Sequence, residues 1–322
     1  MSTEAITALP VPKRSHRSIL SRFGIYFAFA AMCLFFATIN PLFLTPGNLL
    51  NMVRQVSFNA IIAMGMTFVI ITAGIDLSVG SILALTAVIG ASLVKADSPI
   101  VPVPVAILIG LGIGAACGAI NGAFITRGRL APFIVTLVMM TVARGGAQLF
   151  TKGRPVTGLL PQFDVLGSGL CFGVPVPIFV LALVVALSYF LLNWTRFGRY
   201  SYAVGGNERA ALASGIKVQR VKLLVYIYSG MAAALVGLML SARLNSASPI
   251  LGFGYELDAI AACVIGGASL DGGRGAVAGT LVGALIIGTI SNGLDILNIS
   301  AYYQQIIKGL IILIAVLLDK KE

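Results

Sequence analysis

Apolar runs near the length needed to cross a bilayer recur from one end of this chain to the other, and that recurrence narrows its possible folds more than any other feature. In lipid such runs become helices, because a helix satisfies its own backbone N–H and C=O groups. About ten spans can be drawn, at roughly 19–39, 56–74, 79–95, 100–126, 131–150, 175–194, 221–242, 256–269, 276–295 and 302–318. The expected architecture is an all-α polytopic membrane protein, some of whose helices are short or broken. The eighth span is the shortest of the ten and reads as a broken or partly penetrating helix. Segment 45–55, TPGNLLNMVRQ, is too polar to cross and reads as a separate interfacial helix that starts near Thr45, with Pro46 in its first turn. Hydrophobic residues make up 58% of the chain and charged residues 10%, which excludes a soluble globular domain.

A net charge of +11 raises nucleic acid as a partner, but the basic residues cluster at span ends, as membrane topology requires. The aromatic–basic interleaving of single-strand binders is absent, so no nucleic-acid partner is expected. With the N-terminus inside, the cytoplasmic set is Lys13, Arg14, Arg17, Arg22, Arg127, Arg129, Arg196, Arg199, Arg209, Lys217, Arg220, Lys222, Arg274, Lys320 and Lys321. The opposite set is Arg54, Lys95, Arg144, Lys152, Arg154, Arg243 and Lys308, fifteen against seven among the 22 Lys and Arg. Both termini are therefore expected in the cytoplasm. Residues 1–18 form a polar tail with no small-residue cleavage site after the first apolar run, so that run reads as an uncleaved span. The organisation is then a cytoplasmic tail (1–18), one transmembrane domain (19–319) with a cytoplasmic loop at about 195–220, and a tail at 320–322.

Within that loop, 204–222 (VGGNERAALASGIKVQRVK) is a polar island with the punctuation of one short helix. Gly205 and Gly206 allow close approach, Asn207 is a cap, and Glu208 suits the N-terminal end of the helix dipole. The run Arg209 to Ser214 is rich in alanine, and Gly215 suits the left-handed position that ends a helix. The face of Ala210, Ala211 and Ala213 reads as a plug for a groove on another protein; a plain connector between spans is the competing reading.

Catalytic machinery is nearly absent. The single histidine, His16, lies in the tail, and there is no G-x-x-x-x-G-K-[ST] phosphate loop. The chain is thus expected to bind no cofactor and to perform no chemistry of its own. If the chain carries out energised transport, the energy comes from an ion gradient or from another subunit. Cys33, Cys117, Cys171 and Cys263 lack metal-ligand or disulfide spacing and read as small apolar packers. Polar residues in or beside spans point to a protein-lined or wet interior. They include Thr72, Ser81, Thr136, Arg144, Asp295, Gln305 and Lys308, and the candidates for a solute path are Asn59, Thr67, Asp76, Ser78, Asn121, Asp258, Asn292 and Gln304. Hydroxyls and amides dominate, which suits an uncharged polyhydroxylated solute, although an interhelical hydrogen bond is the plainer role for any one of them. Asp76, Asp271 and Asp295 fall near span ends, and Asp76 reads as a cap for the helix that begins near Leu77.

The glycines, 37 in all, concentrate in the spans, as at Gly110, Gly112, Gly114 and Gly118, where small faces let helices pack closely. Segments 74–91 and 270–288 echo one another, each placing an Asp at a polar turn before a glycine-spaced span, as in an internal repeat. Two glycine- and proline-rich segments on the outer side, 151–177 and 244–256, are candidate docking loops, with Lys152, Arg154 and Arg243 suited to an acidic surface.

Four stretches carry a resemblance: GMTFVIITAGIDLSVGSILAL (65–85), GGNERAALASGI (205–216), GYELDAIAACVIGGASLDGGRG (254–275) and SAYYQQIIKGLIILIAVLLD (300–319). Together they resemble the sugar-type permeases of bacterial ATP-binding-cassette (ABC) importers from about residue 40 onward. The resemblance implies a permease that works as a pair with a second copy of itself in the inner membrane, surrounded by lipid. A cytoplasmic ABC ATPase would bind the ATP, and a periplasmic sugar-binding protein would deliver a monosaccharide, ribose first among several candidates. It also implies that the loop coupling to the ATPase is carried by Gly205, Gly206, Asn207, Glu208, Arg209, Ala210, Ala211, Ser214 and Gly215. An ion-coupled secondary sugar carrier and a passive channel are the competing readings.

Overall fold

A computed structural model of the chain describes residues 17–319. The helices of the first half are α1 (Arg17–Ile39), α2 (Pro46–Ile71), α3 (Val79–Leu93), α4 (Val103–Thr126), α5 (Pro132–Thr151), α6 (Pro161–Ser168) and α7 (Val176–Trp194). Those of the second half are α8 (Arg196–Gly206), α9 (Glu208–Ala213), α10 (Val218–Leu244), α11 (Tyr255–Ile265), α12 (Val277–Ile296) and α13 (Ala301–Asp319). Among the described residues, six helices (α2, α4, α5, α7, α10 and α12) are long and apolar enough to cross a membrane, and α3 and the Gly24–Ile39 part of α1 are shorter apolar helices. The chain is a polytopic, all-α membrane protein. The expected short eighth span is α11, only 11 residues long.

One boundary differs from expectation. Segment 45–55 is not a separate interfacial helix: Pro46 opens a single 26-residue helix that runs to Ile71. Its polar residues are tolerated because other residues meet them. Asn48 and Asn292 exchange amide hydrogen bonds at 3.0 Å, and Arg54 donates to Asn51 at 2.7 Å. The helix runs inward from there: within 45–55 only Met52 is buried, whereas from Val56 to Ile71 every residue but Asn59 is.

The core is built on glycine faces. α10 packs along α4, α3 and α2. A Cβ at Gly114 would lie 2.3 Å from the Gly230 carbonyl oxygen, and one at Gly118 would lie 2.1 Å from that of Tyr226. Gly110 and Gly122 meet α10 in the same way, so the i+4 glycine row is the contact surface, while Gly112 faces away with nothing within 4 Å. Lipid lends little hydrophobic drive to association between helices, and close backbone approach with its dispersion contacts supplies the attraction instead. A buried cluster links α2, α11 and α12. In it Thr67 and Thr280 share a hydrogen bond at 2.8 Å, and Cys263 lies 3.5 Å from the Thr67 hydroxyl.

The connections gather at two ends. At one, β1 (Val156–Thr157) pairs antiparallel with β4 (Ser246–Ala247), and β2 (Leu170–Cys171) pairs with β3 (Val174–Pro175). Leu159 N–H donates to the Asn245 side chain at 2.7 Å, so the two expected docking loops are fastened into one cap. At the other end lie α8, α9, the 72–78 connector and the 266–276 connector.

Candidate coupling joint and polar interior

The 204–222 island spans the end of α8, the whole of α9 and the start of α10, and the short helix expected there is α9. Asn207 is the hinge: it caps α8 at its C-terminus, and its side chain accepts the Ala210 N–H at 3.0 Å to start α9. Gly215 has a φ of +80° just after α9, the left-handed position expected of it. Glu208 forms an ion pair with Lys222 at 2.7 Å, fastening α9 to the first turn of α10. Gly205 and Gly206 are the last two residues of α8, and Gly205 makes the close approach expected of it. Gly205 sits where three segments meet: a Cβ there would lie 1.7 Å from the Ile71 carbonyl oxygen at the end of α2 and 2.6 Å from Gly273 N. Gly273 N–H donates to that same Ile71 carbonyl at 2.9 Å, and the Tyr202 hydroxyl of α8 donates to the Gly275 carbonyl at 2.7 Å. The end of α2, the 266–276 connector and the end of α8 therefore form one backbone joint. Gly272, in the second of the two segments that echo one another, packs there against Ala73, the residue just before the first.

The alanine face needs correction. Ala211 is buried, in a small cluster with Val204, Val218 and Val221. It holds α9 against α8 and α10 and is not presented outward. Arg209, Ala210, Ala213, Ser214 and Gly215 are exposed, as is Leu212, an apolar side chain 55% exposed. Leu212 escaped sequence reasoning because the outward face of a six-residue helix is undefined until its packing partner is known. Ala211→Asp is expected to loosen α9, since an unpaired carboxylate in that cluster lacks a partner. Limited proteolysis of the purified protein should then cut within 204–218 several-fold faster than in wild type. An unchanged rate would mean that Ala211 does not anchor the segment.

The eight candidate path residues sort into three groups. Asn59, Asp258 and Gln304 line one polar cavity of about 210 Å³ between α2, α11, α12 and α13, together with Gln55, Tyr255, Ser291, Asp295 and Lys308. The Asn59 amide and the Lys308 ammonium both donate to Asp258, at 3.1 and 3.0 Å, and the Gln304 amide donates to Asp295 at 2.7 Å. The Asn59 amide oxygen is buried with no partner, an acceptor turned toward a polar space. Asn292 and Thr67 form the second group: they fasten α2 to α12, in the Asn48 pair and the threonine cluster.

The third group is Asp76, Ser78 and Asn121, all 0% exposed. Asp76 does not sit at a solvent-facing span end, nor does it cap α3. The 72–78 connector turns back into the protein, and one Asp76 carboxylate oxygen accepts the Ser78 N–H at 3.0 Å and the Ser78 hydroxyl at 2.5 Å. The other oxygen accepts the Ser229 hydroxyl at 2.7 Å, near the midpoint of α10, and the Asn121 amide donates to Ser78 at 2.9 Å. Ser229, a mid-helix serine with no motif around it, carried no sequence signal for this role.

A family model described as the permease component of the branched-chain amino acid transport system matches residues 48–316. A ribose import permease protein of Bacillus subtilis is 50% identical over 314 residues, covering 96% of this chain and 96% of the relative. One from Escherichia coli is 49% identical over 290 residues, 89% of each chain. A D-allose transport system permease protein of Escherichia coli is 40% identical over 300 residues, 93% of this chain and 91% of the relative. No solved structure matches the chain. A match that runs through the α2 core, the backbone joint at Gly205 and the polar cavity together places this chain in that family of transport-system permease components, among the sugar-type ABC importer permeases.

Proposed function

We propose that this chain is the membrane-spanning subunit of an ABC importer that carries a monosaccharide, ribose in the first instance, across the bacterial inner membrane. The observation that carries the reading is identity at about half of all positions, over nearly the whole of both chains, with a ribose import permease protein. ATP is bound by a separate cytoplasmic ATPase, and a periplasmic binding protein delivers the sugar to the strand-bearing cap. Two copies of the chain form the path, with ten spans in each. The end that carries α8 and α9 faces the cytoplasm, along with both termini. Among the described residues that half holds Arg127, Arg129, Arg196, Arg199, Arg209, Lys217, Arg220, Lys222 and Arg274, against Arg54, Lys95, Arg144, Lys152, Arg154, Arg243 and Lys308 in the other.

The mechanism follows from the joint. α9 is the ATPase contact, and its exposed Leu212 fits an apolar groove there. Closure of the ATPase pair moves α8 and α9 as a unit, fixed by the Asn207 cap and the Glu208–Lys222 pair. The Gly205 contact passes that movement to α2 and to the α11–α12 connector in one step, and the cavity at Asn59, Asp258 and Gln304 lies between those same helices. The amides, hydroxyls and carboxylates that line the cavity offer hydrogen-bond partners for the hydroxyl groups of a sugar.

Vesicles reconstituted with the permease, its ATPase and its binding protein supply the test. Labelled ribose uptake should require ATP hydrolysis with proton and sodium gradients held at zero, and excess leucine should not compete. Leu212→Asp should lower uptake at least about tenfold, a coupling loss of some 1.4 kcal/mol, and should release the ATPase on purification. Uptake without hydrolysis under those conditions would instead identify a passive channel, uptake that appears only when a proton or sodium gradient is imposed an ion-coupled carrier, and competition by leucine an amino-acid carrier.

A further inference from the structure

A second cavity, of about 470 Å³, lies between α3, α5 and the start of α11, on the opposite side of α11's first turn from Asp258. It is lined by Ser81, Thr141, Arg144, Gln148, Phe253 and Glu256, among others. The chain builds it deliberately at backbone level. After β4 the 248–254 loop packs against α3, where a Cβ at Gly80 would lie 2.3 Å from both the Gly252 carbonyl oxygen and a Glu256 carboxylate oxygen. Only glycine lets the loop and the carboxylate approach α3 so closely. Arg144 holds the loop from the other side, donating from Nη1 to the carbonyls of Pro249 and Leu251 at 2.9 and 2.8 Å. Arg144 is thus occupied by the loop and makes no ion pair with Glu256 within 4.0 Å among the described residues.

Two polar atoms at this cavity are left over. The Ser81 hydroxyl is buried, 1% exposed at the residue, and has no hydrogen-bond partner. The Glu256 Oε2 atom is buried without a partner as well, while Oε1 accepts the Gly254 N–H at 3.3 Å. Buried polar groups are nearly always paired, and an orphan costs about 1–3 kcal/mol, so two beside one open volume point to a missing partner. A hydroxyl and a carboxylate oxygen on residues that line the same cavity offer a donor and a strong acceptor. Thr141 and Gln148 add polar groups toward the mouth, and Phe253, 79% exposed, adds an aromatic face. That set, a few convergent polar groups on a largely apolar wall, matches a neutral polyol that has C–H bonds on one face and hydroxyls on the other.

We propose that this cavity is a second sugar subsite on the route through the permease, in which Ser81 and Glu256 take hydroxyl groups of the passing sugar and Arg144 acts as a positioning residue that shapes the loop. The proposal rests on the sugar-import reading above. It places two subsites back to back on α11, one behind Asp258 and one behind Glu256.

Deoxy sugars test it in the reconstituted importer. Ser81→Ala and Glu256→Gln should each lower ribose transported per ATP hydrolysed by about five- to tenfold, with size-exclusion behaviour unchanged. For at least one of 2-deoxyribose, 3-deoxyribose and 5-deoxyribose, the variant and the wild type should carry the sugar equally, because the hydroxyl that lost its partner is no longer there. A structural role would depress ribose and all three deoxy sugars alike, and that result would overturn the proposal. So would ribose transport unchanged in both variants. Failure of the wild-type importer to carry ribose at all would instead overturn the sugar reading beneath it.

Discussion

Replacing Gly205 by alanine is expected to abolish productive uptake while the neighbouring Gly206→Ala leaves it near normal. The two positions are adjacent in sequence and unlike in space. A methyl at Gly205 would stand 1.7 Å from the Ile71 carbonyl oxygen and 2.6 Å from Gly273 N, whereas one at Gly206 meets nothing within 4 Å. Neither neighbour at Gly205 is the mobile tip of a side chain. Both are backbone, and they are the acceptor and the donor of the 2.9 Å hydrogen bond that joins α2 to the α11–α12 connector. Accommodating the methyl requires α8 to move away or that bond to open. Overpacking of this kind costs about 1–3 kcal/mol in a soluble core, and the outlet here is the joint itself. The expected result is a loss of ribose uptake of at least about tenfold, equivalent to 1.4 kcal/mol, with ATP hydrolysis retained but no longer tied to sugar. Uptake at the wild-type rate in Gly205→Ala would show that the joint does not transmit movement.

The second large effect concerns the buried carboxylate. Asp76→Leu removes the acceptor for the Ser78 N–H, the Ser78 hydroxyl and the Ser229 hydroxyl together. Each stranded donor costs about 1–3 kcal/mol, set against relief from burying a charge. A net loss of roughly 3 kcal/mol corresponds to a fall of about 6–12 °C in the thermal midpoint by the scaling for domains of 150–250 residues. Asp76→Asn keeps an acceptor oxygen in place and is expected to fall by less than half as much. Thermal unfolding in detergent, followed by size-exclusion, measures both. An unchanged midpoint for Asp76→Leu would show that the network contributes nothing to stability.

The spans were legible because run length and hydropathy report directly on bilayer crossing, and the boundaries of α3, α5, α7 and α12 follow them closely. The failure at 45–55 has a physical origin. Polarity was read as exposure, but Asn48 is matched by Asn292, some 240 positions later, and no local pattern announces that partner. The same cause hid the role of Asp76, which read as a local cap, because its partner Ser229 lies 153 positions away. Punctuation of the coupling segment was legible, since Asn207 and Gly215 act through local backbone chemistry. Its outward face was not, because which side of α9 is covered depends on Val218 and Val221 of another helix. Glu256 was read only as the end of a loop, and it becomes visible as a ligand only once the absent Cβ of Gly80 is seen to admit it.

The Asp76–Ser229 bond also bears on how the protein is made. The two residues are separated by 153 positions. At a synthesis rate of about 5–20 residues per second, Ser229 leaves the ribosome roughly 8 to 30 s after Asp76. For that interval α2, α3 and the connector between them already exist as chain while half of the carboxylate's partners do not. The first half of the molecule therefore precedes α10 with one oxygen of the carboxylate held by Ser78 and the other without its Ser229 donor. The order of assembly is written into the position of one serine.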